Sequence, residues 1–174
     1  MKKILPIIGL IFGIIIIVGF FSPWFSLKSN IHRTEGIRVE DFVNVTGWDL
    51  ARGEIKVTQK ESGTKDIHEI IHLKIEDKDY PFLDIIGGSL LLLGGVLAII
   101  SKRKFTYGII IGGGIIASIG GWWGILANTW IRHRAISFGN YALFGYYRFG
   151  LLMCVFGGFV SILGTIIEAK MSRG

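Results

Sequence analysis

The chain has 174 residues, 51% of them hydrophobic and 25 of them glycine, and 19 Lys/Arg against 13 Asp/Glu leave a formal charge of +6. That is not the composition of an ordinary soluble domain, because the apolar residues are gathered into four long runs. The one cysteine, Cys154, excludes an internal disulfide.

The first run, Ile4–Phe21, follows Lys2 and Lys3. At about 1.5 Å rise per residue a helix of this length crosses most of a hydrocarbon core roughly 30 Å thick. It is too long for the apolar core of an ordinary secretory signal, and it ends in Phe21-Ser22-Pro23-Trp24-Phe25 with no small-x-small cleavage site. A retained membrane anchor is expected.

Residues 22–81 differ in kind. Between Ser22 and Tyr80 stand nine Lys/Arg and eleven Asp/Glu, a near balance that suits a solvated, folded insertion. Apolar residues alternate with polar ones at Ile37, Val39, Val43 and Val45, at Ile55 and Val57, and at Ile67, Ile71, Leu73 and Ile75. Alternation of period two predicts strands, with Glu61-Ser62-Gly63-Thr64 as a turn between the last two. Three or four antiparallel strands have too little core to stand alone, so the small sheet should rest on the helices. Asn44-Val45-Thr46 is a glycosylation sequon.

Within this insertion His68-Glu69-Ile70-Ile71-His72 fits H-E-x-x-H. On a helix the spacing puts two imidazoles on one face to bind zinc, with the glutamate as general base. That defines the alternative reading, a zinc-dependent membrane peptidase with His68 and His72 as ligands and Glu69 as base. The alternation predicts a strand instead, which would set the two histidines about 13 Å apart, too far for one ion.

The second run is Phe82–Ile100, with Pro81 before it and Asp84 in its first turn, where an acid complements the helix dipole. Lys102, Arg103 and Lys104 separate it from the third, Phe105–Ala127. A loop from Asn128 to Arg148 then carries Trp130, Arg132, His133, Arg134, Tyr141, Tyr146, Tyr147 and Arg148. With Trp24, Trp122 and Trp123 its aromatics form an expected interfacial belt, and its cations a basic rim for anionic headgroups or an acidic partner. The fourth run is 149–167. Lys2, Lys3, Lys102, Arg103, Lys104, Lys170 and Arg173 lie on one side of four spans with a single acid, Glu168, so both termini are expected in the cytoplasm. The net charge then reflects topology and lipid contact, and no nucleic-acid partner is expected.

The glycines are ordered. Gly150, Gly157 and Gly164 recur every seven residues, as do Gly87 and Gly94, and Gly113 and Gly120, while Gly9 and Gly13 are four apart. Stripes of this kind let helices approach closely in lipid. The runs contain no histidine and no Cys-x-x-Cys. No cofactor and no catalytic residue are therefore expected. The expected fold is an all-α four-helix transmembrane bundle with a small extracytoplasmic antiparallel β-sheet in the first outer loop. The expected role is non-enzymatic: binding another membrane or envelope protein, or a second copy, as in an accessory subunit. Trp24, Trp48, Arg132, His133, Arg134, Tyr146, Tyr147 and Arg148 are the candidate contact residues.

Ser22-Pro23-Trp24 followed by Val45-Thr46-Gly47-Trp48-Asp49-Leu50 resembles a class of small prokaryotic four-span proteins with a Pro-Trp after the first helix and a Ser/Thr-Gly-Trp/Leu-Asp/Glu-Leu segment in the first outer loop. The layout is also similar to the claudin-type plan, with Trp24 and Gly47-Trp48 in the corresponding loop but without the two loop cysteines. The resemblance implies shared architecture and no catalytic residues.

Overall fold

The computed structural model describes residues 4–30, 42–60, 67–74, 79–100, 105–137 and 142–171. The expected alternation at Ile37 and Val39, the turn at 61–64, the tail of the third alternation from Ile75, Tyr141, and the basic residues at 2–3, 102–104 and 173 lie outside them.

The chain runs α1 (Ile4–Phe21), β1 (Pro23–Asn30), β2 (Phe42–Thr46), α2 (Gly47–Arg52), β3 (Glu54–Lys60), β4 (Ile67–Lys74), α3 (Phe82–Ile100), α4 (Phe105–Ser137), β5 (Ala142–Tyr147) and α5 (Phe149–Met171). Four of the helices contain segments long and apolar enough to cross a membrane: Ile4–Phe21, Phe82–Ile100, Phe105–Ala127 and Phe149–Met171. This is the architecture of a multi-pass membrane protein. Helix α1 packs against α3 and α5, and α4 packs against the same two, while the diagonal pairs scarcely meet. The result is a four-membered ring, and each neighbouring pair runs antiparallel.

Glycine makes the ring tight. A β-carbon at Gly87 of α3 would lie 2.5 Å from the Ala117 nitrogen of α4, and one at Gly113 of α4 would lie 2.8 Å from the Gly87 carbonyl. At Gly9 of α1 it would meet the Gly95 backbone of α3 at 2.6 Å. Gly150 of α5 faces the carbonyls of Gly19, Ser22 and Pro23 at 2.7 Å, whereas Gly94, Gly157 and Gly164 receive the side chains of Ile110, Ile16 and Ile8. Backbone contact of this closeness is open only to a residue without Cβ.

Two small sheets sit at one end of the ring. β3 and β4 form an antiparallel pair. The other sheet is three-stranded, ordered β2-β1-β5 and antiparallel throughout, with Leu27 opposite Val43 on one side and Gly145 on the other. The sheet was expected to belong to the first insertion alone. Its third strand instead comes from the segment between α4 and α5, and its central strand is the unpredicted stretch after Phe21. Pairing across more than a hundred residues leaves no mark in local alternation.

α4 continues as helix ten residues past the expected span, to Ser137. The segment expected as a loop from Asn128 to Arg148 is therefore part helix and part strand. α2 is short but well closed: the Thr46 hydroxyl accepts from the Asp49 N–H, the Asp49 carboxylate accepts from the Thr46 N–H at 2.9 Å, and Gly53 ends the turn at φ 76°. This is the Ser/Thr-x-x-Asp/Glu capping box followed by a left-handed glycine.

Candidate interaction surface

The surface is built outward from Trp24. Pro23 and Trp24 follow α1 directly, and the Trp24 indole turns back into the bundle, where none of it is exposed. Its Nε1 donates to the Gly19 carbonyl at 3.1 Å, and its ring stands edge-on to Phe20 with centroids 6.4 Å apart. Two glycines admit the ring: a β-carbon would come within 2.5 Å of it at Gly124 of α4 and within 2.7 Å at Gly47 of α2. One side chain thus joins α1, α2 and α4, with Leu151 of α5 beside it. Trp24 was expected as a contact residue at the bilayer interface; the structure places it inside the chain.

A polar strut fixes the three-stranded sheet beside this core. The buried Ser26 hydroxyl of β1 donates to the Asn44 Oδ1 of β2 and accepts from the Arg148 Nε at 2.7 Å. The Arg148 N–H donates to the Trp24 carbonyl, also at 2.7 Å. Arg148 therefore closes α5 onto β1 with both its backbone and its side chain. The side chain of the sequon residue Asn44 is already engaged through its carbonyl oxygen.

Trp48, presented by the first turn of α2, is 42% exposed. Its ring meets those of Phe20, Phe21 and Phe82 at centroid distances of 6.4, 6.1 and 6.4 Å. Phe21 and Phe82 are also exposed, so the ends of α1 and α3 carry a contiguous aromatic patch. Beside Phe82 in sequence, Tyr80 stacks on Trp123 of α4, with centroids 5.6 Å apart and planes 5° from parallel. Such a patch has the make-up of an interface core, where Trp, Tyr and Phe are over-represented.

The other expected contact residues are spread over different elements. Arg132, His133 and Arg134 lie in the extension of α4, and Tyr146 and Tyr147 in β5. Tyr147 is the register partner of Phe25, and Tyr146 of Ser26.

His68 and His72 lie in β4. Glu69 pairs with Thr58 and Ile71 with Val57, so Ile70 is an extra residue in the ladder. Positions 68 and 72 stand opposite Gln59 and Lys56, which are three apart on β3 and so of opposite parity. The one-faced helical setting that gives H-E-x-x-H its chemistry is not what this segment forms.

Asp84 is the most enclosed carboxyl group among the described residues. It is in the first turn of α3 as expected, yet no part of it is exposed, and neither carboxyl oxygen has a hydrogen-bond partner among the described residues. The carboxyl lies against Gly120 of α4, where a β-carbon would be 2.5 Å from Oδ2. The Cys154 thiol of α5 adjoins it, but points its hydrogen at the Ile16 carbonyl of α1, 3.6 Å away. An acid enclosed between α3, α4 and α5 is costly and is a functional candidate wherever it occurs in a membrane bundle. In the sequence Gly120 is only one of the repeating glycines; that it covers Asp84 follows from how α3 and α4 meet.

Comparison of the chain with protein-family models gives no match, and comparison with curated protein sequences gives none either.

Proposed function

We propose that this chain is a non-enzymatic, multi-pass protein of the cell membrane that binds another membrane or envelope protein through its sheet-bearing end. Both termini lie in the cytoplasm on this reading, and the sheets lie outside. The charge pattern supports that orientation, with seven basic residues and one acid on the side of the termini. The observation that carries the binding role is the exposed Trp48–Phe21–Phe82 patch. It is held by a capped helix and an enclosed tryptophan, so little ordering cost opposes binding there. Occupation by a second copy, or service as an accessory subunit of a larger complex, uses the same surface.

The test is photocrosslinking in native membranes with a photoreactive phenylalanine analogue in place of Trp48. A discrete protein adduct, of a partner or of a second copy, is the expected result. Adducts to lipid alone would overturn the binding role. Orientation is checked separately with single cysteines at positions 2 and 36 in a Cys154→Ala background, where an impermeant maleimide should label only the second.

A further inference from the structure

Asp84 and Trp24 occupy adjacent layers of the bundle. Gly120 of α4 faces the Asp84 carboxyl, and Gly124, one turn nearer the sheets, faces the Trp24 ring. On α5 the order repeats, with Leu151 beside Trp24 and Cys154 one turn further in beside Asp84. The Trp24 layer thus lies one helical turn, roughly 6 Å, on the sheet side of Asp84. It is a plug with few fastenings. The indole donates one hydrogen bond, to the Gly19 carbonyl, and its ring is covered by Gly47 of the six-residue helix α2. A short segment at the end of a bundle is the part that opens before the whole chain does.

Nothing beneath the plug answers a negative charge. No part of Asp84 is exposed, and neither carboxyl oxygen has a hydrogen-bond donor among the described residues. From α4 it meets the Gly120 backbone, and from α5 the Cys154 thiol, whose hydrogen goes to the Ile16 carbonyl of α1. These groups are neutral, and the described residues put no cation against the carboxyl. Enclosing an ionised carboxylate without a partner costs far more than enclosing the neutral acid, so the acid is enclosed with its proton.

We infer that Asp84 is a proton-binding site closed by Trp24: it keeps its proton while the indole is in place and gives it up to water when the Trp24 layer lifts. The closed state then holds one proton more than the open state, so raising the pH favours opening and lowering it favours closure. Gly47 lies against the ring, so the same movement carries α2 with it. The proton therefore sets how firmly the sheet-bearing end is seated on the bundle.

Cys154 reports the opening, because it lies in the Asp84 layer and is the one cysteine of the chain. The full chain in mild detergent is incubated at length with N-ethylmaleimide, since openings are rare. Each labelling rate is divided by that of the SDS-unfolded protein at the same pH, which removes the titration of the thiol itself. Between about pH 6 and pH 7 the ratio should rise about five- to tenfold in the wild type, the effect of one proton released on opening. In Asp84→Asn it should stay constant with pH, even where that variant opens more often at every pH. A constant ratio in the wild type, which needs no variant to fold, would overturn the proposal, as would an equal rise in Asp84→Asn. Ala98→Cys in a Cys154→Ala background separates the plug from unfolding of the whole chain, because Ala98 is buried at the far end of α3. Its ratio should be at least about tenfold below that of Cys154, as local opening is easier than global. Equal ratios at the two positions would mean that Asp84 meets water only when the bundle comes apart, and that Trp24 closes nothing.

Discussion

The Nε of Arg148 donates to the Oγ of Ser26 at 2.7 Å, joining the start of α5 to the buried side of β1 across 122 residues of chain. Ser26 passes the connection on to Asn44 of β2, so one hydroxyl unites three segments. Ser26→Ala leaves the arginine and the amide without this partner and should destabilise the protein by about 1–3 kcal/mol. Thermal unfolding in detergent measures it. A melting curve that overlays the wild type would show that the strut carries no stability.

Trp24 and Trp48 should separate cleanly. Trp24→Ala empties a fully enclosed site and is expected to cost about 3–5 kcal/mol, whereas Trp48→Ala, at a half-open position, should cost about 1 kcal/mol or less. The second variant should instead lose its crosslinked or co-purifying partner. Paired melting and pull-down experiments would distinguish the two roles.

The glycines of the third membrane-length helix make an internal control. Gly113→Ala sets a methyl against the Gly87 carbonyl and should lower stability by about 1–3 kcal/mol. At Gly112 nothing lies within 4 Å of where the methyl would go, so Gly112→Ala should be neutral or gain up to about 1 kcal/mol from better helix propensity. Equal melting temperatures for the two would mean that helix packing is looser than described.

Asp84 has no hydrogen-bond partner to lose among the described residues. Asp84→Asn preserves its shape and removes the possibility of charge but brings in two amide N–H donors, so it should cost about 1–3 kcal/mol, the range of a buried polar group left unpaired. Gly120→Val, by contrast, drives two methyl groups into the carboxyl and should prevent folding. If Asp84→Asn proved as damaging as Gly120→Val, the carboxyl would have a partner that only an acid can serve.

Cys154 is wholly buried between α5 and α1. N-ethylmaleimide should leave the folded protein unlabelled and react fully once the protein is unfolded in SDS, as read by intact mass. Labelling of the folded protein at a comparable rate would place the thiol on the surface and displace Asp84 with it.

The membrane-length helices were legible because each is a continuous apolar run bounded by charge, proline or aromatic residues. β3 and most of β4 were legible from alternation. Thr46-Gly47-Trp48-Asp49 was read only as part of a resemblance, although Thr and Asp three apart with Gly53 beyond spell a capped helix. β1 was not legible because Pro23-Trp24-Phe25-Ser26 does not alternate: Trp24, Phe25 and Ser26 are three successive residues with no exposure.

What the sequence determined by itself is local and one-dimensional: where the chain is apolar long enough to cross a bilayer, and where glycine stripes permit close helices. Only the tertiary structure decided that Trp24 is enclosed, that β5 completes a sheet begun by β1, and that Asp84 is shut in between α3, α4 and α5. Each depends on which residue arrives from more than twenty positions away, such as Gly124 for Trp24, Ala142–Tyr147 for β1 and Gly120 for Asp84. Burial is a property of the assembled surfaces. The patterns of period two and 3.6 that a sequence displays describe one surface at a time.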